Sequence, residues 1–430
     1  MLSVNNENLT LLDKIICWFI FAEIFLMTSS LISYYSTSFF NYGLRFLFFG
    51  FIFCALARKK HFNIKKHFIY VILMVTLFGI FASLLSGNIR FFIKIIGIVF
   101  PLCYLAFCDK KHIETIVEIG TPFFIVLLSG AFIGFTYAMA GGQPVFQFPN
   151  PDGRMNYFFL TTSTNTWIGN IIRPGGIYDE PGSFSFLLCV LAIFRVLTGK
   201  SDILTYFMLL AGNITFSAAH AIFFVLYNFY MFGKYYKKKF FVSYIVSIVF
   251  AMVFLLYAYY DIFEDMLFYR LQGERLTNNN RTVQIDGSLY ILKNARPLMD
   301  VVLFGYNKIE DEKYLFTNPL GPLIYDGIFV SWIYYMCITI LLFGGVISPK
   351  YRFVLWGIAF IYMQRPFYSF GRFAALYIIA FFVYGEIKKV FQNYYSSLIR
   401  LNNLKRNMRK KNNFLHFTPD CVKAEREQNA

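Results

Sequence analysis

Residues 173–181 read Arg-Pro-Gly-Gly-Ile-Tyr-Asp-Glu-Pro and stand between two strongly apolar blocks. Glycine and proline are too dense here for a helix to run through, and a long apolar segment resumes after Pro181. The stretch therefore reads as a shaped turn at the mouth of a helix that re-enters a bilayer. It carries one arginine and two adjacent acids, Asp179 and Glu180. Charge is costly in so apolar a setting, which marks the turn as half of a candidate active site.

Outward from this turn the chain is apolar throughout. Over 430 residues it is 57% hydrophobic and 21% aromatic, with a mean hydropathy of +0.53. Those values exceed what a soluble domain of this length shows and predict an all-α polytopic membrane protein, a single integral membrane domain over 1–430. Apolar stretches of about 15 to 25 residues recur, each near the roughly 20 helical residues that cross a hydrocarbon core. They predict about twelve transmembrane helices, near 15–35, 39–57, 67–85, 89–108, 115–140, 183–199, 202–217, 218–233, 240–260, 325–347, 352–364 and 372–386. The eleventh is short, and 202–217 with 218–233 leaves a re-entrant segment open beside two ordinary tilted helices. The polar start, Met1 to Asp13, lacks a basic leader region and cleavage site, so the first apolar block is expected to stay as a helix. The seven cysteines imply no disulfide framework and show no zinc-like spacing.

The net charge of +16 is explained by topology rather than by nucleic acid. Of the 40 Lys and Arg residues, 26 fall on the alternate connections that face the same side as the start, so both termini are predicted to be cytoplasmic. Two long connections then lie outside, 141–182 and 261–324. They contain Tyr157, Trp167, Tyr290, Tyr306 and several arginines, which suits loops folded over the helices. The basic tail, 387–430, meets the bilayer's anionic headgroups at about 1 kcal/mol per cationic residue near the surface.

Arginine grips phosphate through a planar fork of donors, so Arg173 and the second-loop Arg270, Arg275, Arg281 and Arg296 are candidate ligands for a diphosphate. For the loop arginines, ordinary solvated charge is the plainer alternative. Arg90 and Lys94, four apart at the outer end of the fourth predicted span, share a helical face at headgroup depth; snorkelling to phospholipid is the competing reading. Glu23 and Arg45 lie within predicted spans and read as a structural ion pair. His220 is either a proton acceptor or a hydrogen-bonded packing residue. Glu310-Asp311-Glu312 reads as a wet loop tip, so no metal site is expected. No phosphate-cradling glycine loop is found and no cofactor is called for.

The residues resemble a family, the bacterial O-antigen or capsule repeat-unit polymerases of the Wzy type, and more distantly the O-antigen ligases. Arg173 to Pro181 looks like that family's Arg-x-x-Gly-x-x-x-Glu-Pro turn, with Gly176 and Glu180 at the matching positions. Leu210 to Ser217 is similar to the Leu-Thr-Phe-Ser helix end, and Asn280-Arg281 matches in the large outer loop. Asn318 followed by Asp326-Gly327 resembles an Asn and an Asp/Glu-Gly pair at the next span. The overall plan resembles the family over nearly the whole chain. Two departures stand out: Thr317 occupies a position where many ligase-like relatives have His, and Ala218-Ala219 follow Ser217 where some relatives have Arg.

The resemblance implies a membrane glycosyltransferase of the bacterial cytoplasmic (inner) membrane that takes part in lipopolysaccharide or capsule biosynthesis. It would move a growing glycan from undecaprenyl diphosphate to an incoming lipid-linked repeat unit on the outer face. Arg173 and Arg281 would stabilise the leaving diphosphate, and Glu180 or His220 would accept the hydroxyl proton. Gly176, Asp179, Arg90, Lys94, Arg270, Arg275 and Asn318 would contact substrate. Expected partners are undecaprenyl-diphosphate-linked oligosaccharides, the lipid bilayer and a chain-length regulator protein. The alternatives are an O-antigen ligase and a lipid-linked oligosaccharide flippase; a flippase is expected to line a central path with charge rather than carry it in two outer loops.

Overall fold

The computed structural model describes residues 9–27, 29–35, 66–87, 90–105, 110–149, 154–168, 170–235, 280–294, 298–305, 318–366 and 374–416. It is mostly helical. The helices are α1 Leu11–Phe21, α2 Ser30–Tyr35, α3 Lys66–Ser86, α4 Arg90–Leu105, α5 Lys110–Met139, α6 Pro181–Thr198, α7 Asp202–Gly212, α8 Ala218–Tyr235, α9 Asn280–Asn294, α10 Leu298–Phe304, α11 Gly321–Ile347, α12 Arg352–Gln364 and α13 Ala374–His416. Four are long and apolar enough to cross a membrane: α3, α5, α6 and α11. The predicted spans 39–57 and 240–260 lie outside the described residues, as does most of the second long loop.

The organising helix is α6. It is hydrophobic on every side, and such a helix belongs inside a bundle; 94% of its window is buried, and α5, α7, α8 and α12 pack around it. By contrast α3, only 17% buried, turns Leu73, Leu77, Phe81 and Leu84 outward, as a face against lipid would require. Gly199 ends α6 in the left-handed conformation that glycine adopts without strain.

The first predicted span is not one helix. A π-helical turn, Ala22–Leu26, follows α1, and the chain breaks before α2. The break is tied to the 173–181 turn: Ser29 Oγ donates to the Ile177 carbonyl at 2.6 Å, and Tyr178 Oη donates to the Phe25 carbonyl at 2.9 Å. Backbone groups freed inside an apolar bundle need such partners. Burial pushes the Tyr178 phenol well above its ordinary value and keeps it a neutral donor.

The all-α expectation needs one correction. Loop 141–182 holds strands β1 Phe146–Pro149, β2 Met155–Phe159 and β3 Thr162–Thr164 in one antiparallel sheet, and β4 Trp167–Ile168 paired with β5 Ile171–Ile172. Alternating aromatic and β-branched residues suit a half-buried sheet, and Phe148, Asn156 and Thr162–Thr164 are buried. Thr161 Oγ1 donates to the Gly130 carbonyl at 2.6 Å and fixes the sheet to α5.

The end of the bundle opposite the 173–181 turn is cross-linked by polar groups. Arg195 Nε donates to Thr205 Oγ1 at 2.8 Å and Nη1 to Thr121 Oγ1 at 2.6 Å. Buried Asp202 pairs with Lys234 and accepts from Tyr235 Oη at 2.7 Å. Lys200 meets Glu118 at 2.8 Å, and His112 lies 3.6 Å from Asp13. A second compact unit begins at Phe382; there the basic tail is helical as far as His416, with Lys389 bridging to Glu386.

Within α11 the helix breaks at Gly327 (φ 64°), where a Cβ would come within 2.2 Å of the Leu303 carbonyl oxygen. Gly87 has a similar φ of 63° but open space around it. Gly327→Ala is therefore expected to cost about 2 kcal/mol or more from the clash plus the left-handed backbone, and Gly87→Ala only the backbone's roughly 1 kcal/mol. Thermal midpoints of the detergent-purified variants check the ordering, and equal midpoints would contradict it.

Candidate functional site

Three residues of the 173–181 turn are locked from below by β3. Gly176 (φ 65°) donates from its N–H to Thr162 Oγ1 at 2.9 Å, Gly175 N donates to the Ser163 carbonyl at 2.7 Å, and Ser163 Oγ donates to the Tyr178 carbonyl at 2.7 Å. A left-handed φ at Gly176 turns the chain back toward α6. Half-buried Asp179 follows in the same turn.

Glu180 is the N-cap residue of α6, extended in backbone, with Pro181 in the first helical position. Its side chain does not cap the helix. It forms an ion pair with Arg365, whose Nη1 also donates to Ser183 Oγ at 3.3 Å, and Arg154 Nη2 lies 3.7 Å from the other carboxylate oxygen. Arg365 is the C-cap residue of α12. The carboxylate thus stands at a helix start and the guanidinium at a helix end, where each is favoured by the local peptide dipoles. Gly182 makes room for the pair: a Cβ there would meet Arg365 Nη2 at 2.3 Å. Side-chain exposures of 18% for Arg365 and 25% for Glu180 mean that both are sheltered yet reachable from solvent.

Beneath Arg365 a narrow cleft runs between α6, α8 and α12 to His220, passing Ser185, Cys189 and Gln364; its free volume of about 10 Å³ holds roughly one water. His220 is buried. Its Nε2 lies 2.8 Å from the Leu209 carbonyl, which can only accept, so Nε2 carries the proton and Nδ1 faces Cys189 Sγ at 3.4 Å. Both ring nitrogens are engaged, as a packing histidine requires, and a role as proton acceptor needs the Cys189 contact to give way.

Arg173 performs a task that its sequence position did not suggest. Its Nε and Nη2 donate to the carbonyls of Thr215 and Phe216 at 3.3 and 2.9 Å, at the 3-10 turn Asn213–Thr215 that ends α7. It caps a helix end whose carbonyls have no intrahelical partner. Lys94, expected at a lipid diphosphate, is paired with buried Asp326 next to the Gly327 break. Buried Asn318 donates to Ser288 Oγ at 2.9 Å and accepts from Leu320 N at 2.9 Å, opening α11. The backbones of Arg90 and Arg281 open α4 and α9. Their side chains, with Arg270, Arg275, Arg296, Arg45 and Glu310–Glu312, lie outside the described residues.

The structure thus gathers Arg173, Gly176, Asp179 and Glu180 in one turn, with His220 at the bottom of the cleft below, and adds Arg365 and Arg154, which sequence reasoning missed. The signal for Arg365 was its place at the end of an apolar helix, directly before Pro366. Comparison with known protein families, curated proteins and solved structures finds no match for this chain.

If Arg173 caps α7, Arg173→Ala leaves two carbonyls without that donor and is expected to cost about 1 to 3 kcal/mol, while Arg173→Lys recovers part of it. The measurement is the thermal midpoint in detergent, and a wild-type midpoint for the alanine variant would free Arg173 from the structural role.

Proposed function

We propose that the chain is a multi-pass protein of the bacterial cytoplasmic membrane, with about twelve spans, both termini cytoplasmic and two long outer loops, and that it works as a repeat-unit polymerase. The topology draws support from where the ion pairs lie. Asp13–His112, Glu118–Lys200 and Asp202–Lys234 join helix ends assigned inside by the charge bias; Glu180–Arg365 and Lys94–Asp326 join ends assigned outside. Inverting any one helix that takes part in these pairs would have joined an inner end to an outer one.

The observation that carries the function is the Glu180 carboxylate held between Arg365 and Arg154 at the outer mouth of the cleft. In the reaction, the acceptor hydroxyl oxygen attacks the anomeric carbon of the donor glycan. The bond from that carbon to the diphosphate oxygen breaks, the electron pair leaves with the lipid diphosphate, and the hydroxyl proton passes to Glu180. Arg365 and Arg154, with Arg281 from the second loop, supply the fixed positive charge that the leaving group needs. With its Nε and Nη2 on carbonyls, Arg173 contributes by shaping the site. A ligase shares this plan and donor and differs in its acceptor. A flippase fits less well, because the Arg195 and Asp202 networks close the inner ends of α6, α7 and α8, where alternating access needs two arrangements.

Single cysteines at exposed Met155, next to Asn156, and at Asn307, in a background without reactive native thiols, are expected to react with a membrane-impermeant maleimide from outside, and one at Lys238 is not. The opposite pattern would overturn the orientation. In a strain lacking the protein, surface glycans are expected to stop at single repeat units, whereas loss of a flippase would leave none. Restoring the strain with Arg365→Ala is expected to give less than about a hundredth of the long-chain glycan, in the range seen when one transition-state donor is removed; full-length chains would remove Arg365 from the mechanism.

A further inference from the structure

A carboxylate gripped by an arginine is a poor base, since the positive charge stabilises its ionised form. The same grip neutralises the arginine that an anionic ligand would seek. Both handicaps vanish together if the ligand takes the place of the carboxylate. The geometry allows that exchange. Arg365 is 18% exposed, lies against Gly182, whose lack of a side chain leaves room for Nη2, and keeps a second anchor on Ser183 Oγ while Nη2 changes partner. Arg154 stands 3.7 Å from the other Glu180 oxygen and is 48% exposed, so once Arg365 is taken the carboxylate keeps only this longer, solvent-screened contact.

We infer that the Glu180–Arg365 ion pair is an exchangeable latch over the cleft: a phosphate-bearing anion displaces Glu180 from Arg365, and the freed carboxylate is then the group that accepts a proton. This rests on the outer mouth of the cleft being the donor site. It assigns Arg365 as the anion's ligand and makes Glu180 the competitor of that anion in the resting state. The order of events follows: no base is available until the anion is bound, so an acceptor hydroxyl arriving first meets a carboxylate already occupied.

The latch gives opposite signs for its two partners, which a purely structural clamp does not. The full-length protein in uncharged detergent at low salt, where charge is little screened, is titrated with inorganic pyrophosphate and, separately, with farnesyl diphosphate. Arg365→Ala is expected to weaken binding at least tenfold, with Arg365→Lys between it and the wild type. Glu180→Gln removes the competing charge and is expected to tighten binding by roughly tenfold, as when a closed state that leaves about one molecule in ten competent is abolished. Should the glutamine variant not fold, Glu180→Asp, shorter by one methylene, gives the same sign with a smaller change. Unchanged or weaker binding in the folded Glu180 variant overturns the latch, as does an affinity indifferent to Arg365. Equal affinity for the two probes assigns recognition to the diphosphate alone; Arg365-dependent binding of farnesyl diphosphate only assigns it to the lipid-borne form. The polymerase reading fails separately. A protein that binds pyrophosphate with these signs but makes no polymer loses that reading alone, and one that makes polymer while Glu180→Gln leaves affinity unchanged loses only the latch.

Discussion

The carbonyl of Ile177 accepts from Ser29 Oγ at 2.6 Å and from Leu31 N at 3.4 Å, and with Tyr178 reaching the Phe25 carbonyl it joins the broken first helix to the turn before α6. Inside an apolar bundle a helix break leaves backbone groups that water cannot reach, so each break must meet another irregular segment with complementary donors and acceptors. Here the breaks come together. The gap after Leu26 meets residues 177–178, the end of α7 meets Arg173, and β3 meets Gly175 and Gly176. The turn is thereby held on three sides, and Glu180 leaves it with little freedom of position. The fixed position of this carboxylate follows from the hydrogen-bond demand of the surrounding backbone.

The charged groups obey a related constraint. A lone charge within the bilayer is costly, and a buried ion pair repays its desolvation only with good geometry and further hydrogen bonds. Asp202 meets that condition with Lys234 and the phenols of Tyr230 and Tyr235. Most of the described pairs sit near helix ends, and where one partner is partly exposed, as for Lys200–Glu118, Lys234–Asp202 and Arg365–Glu180, the desolvation cost is lower. At the end of the bundle away from the 173–181 turn they tie α5, α6, α7 and α8 together; beside the turn the Glu180–Arg365 pair is more open and has an alternative cation beside it. Similar chemistry thus serves as a fastening at one end and as an exchangeable contact at the other, the difference lying in exposure and in the number of hydrogen bonds that hold each carboxylate.

Much of this was legible in the sequence where local rules govern. The helices around residues 67–85, 115–140, 183–199 and 352–364 follow from unbroken apolar runs, and the turn at 173–181 from its glycines and prolines. The break after Leu26 was not legible, because the Met-Thr-Ser sequence that follows it holds no helix-breaking residue and the partner that makes the break tolerable lies at Ile177. The strands of the first loop were hidden because two to five residues, read beside long apolar helices, give too short an alternation to register. Arg365 was overlooked since its importance comes from a partner 185 positions away, and Lys94 was assigned to lipid because nothing local points to Asp326.

Arg173 illustrates how one set of donors suits two kinds of acceptor. Sequence reasoning took an arginine wedged among prolines and glycines at a membrane edge and assigned it to a phosphate, since a guanidinium fork suits phosphate oxygens. The same fork suits two successive carbonyls at the end of a helix, and the left-handed Phe216 presents those of Thr215 and itself to Nε and Nη2. Both readings use the same donors, so residue type cannot separate them; the deciding fact is which acceptors the fold brings within reach. It also gives a physical reason why the Arg-Pro-Gly-Gly turn and the Thr-Phe-Ser helix end occur in one chain. The first supplies the donors that the second lacks, and the joint so formed sets the height at which α6 begins and Glu180 meets Arg365.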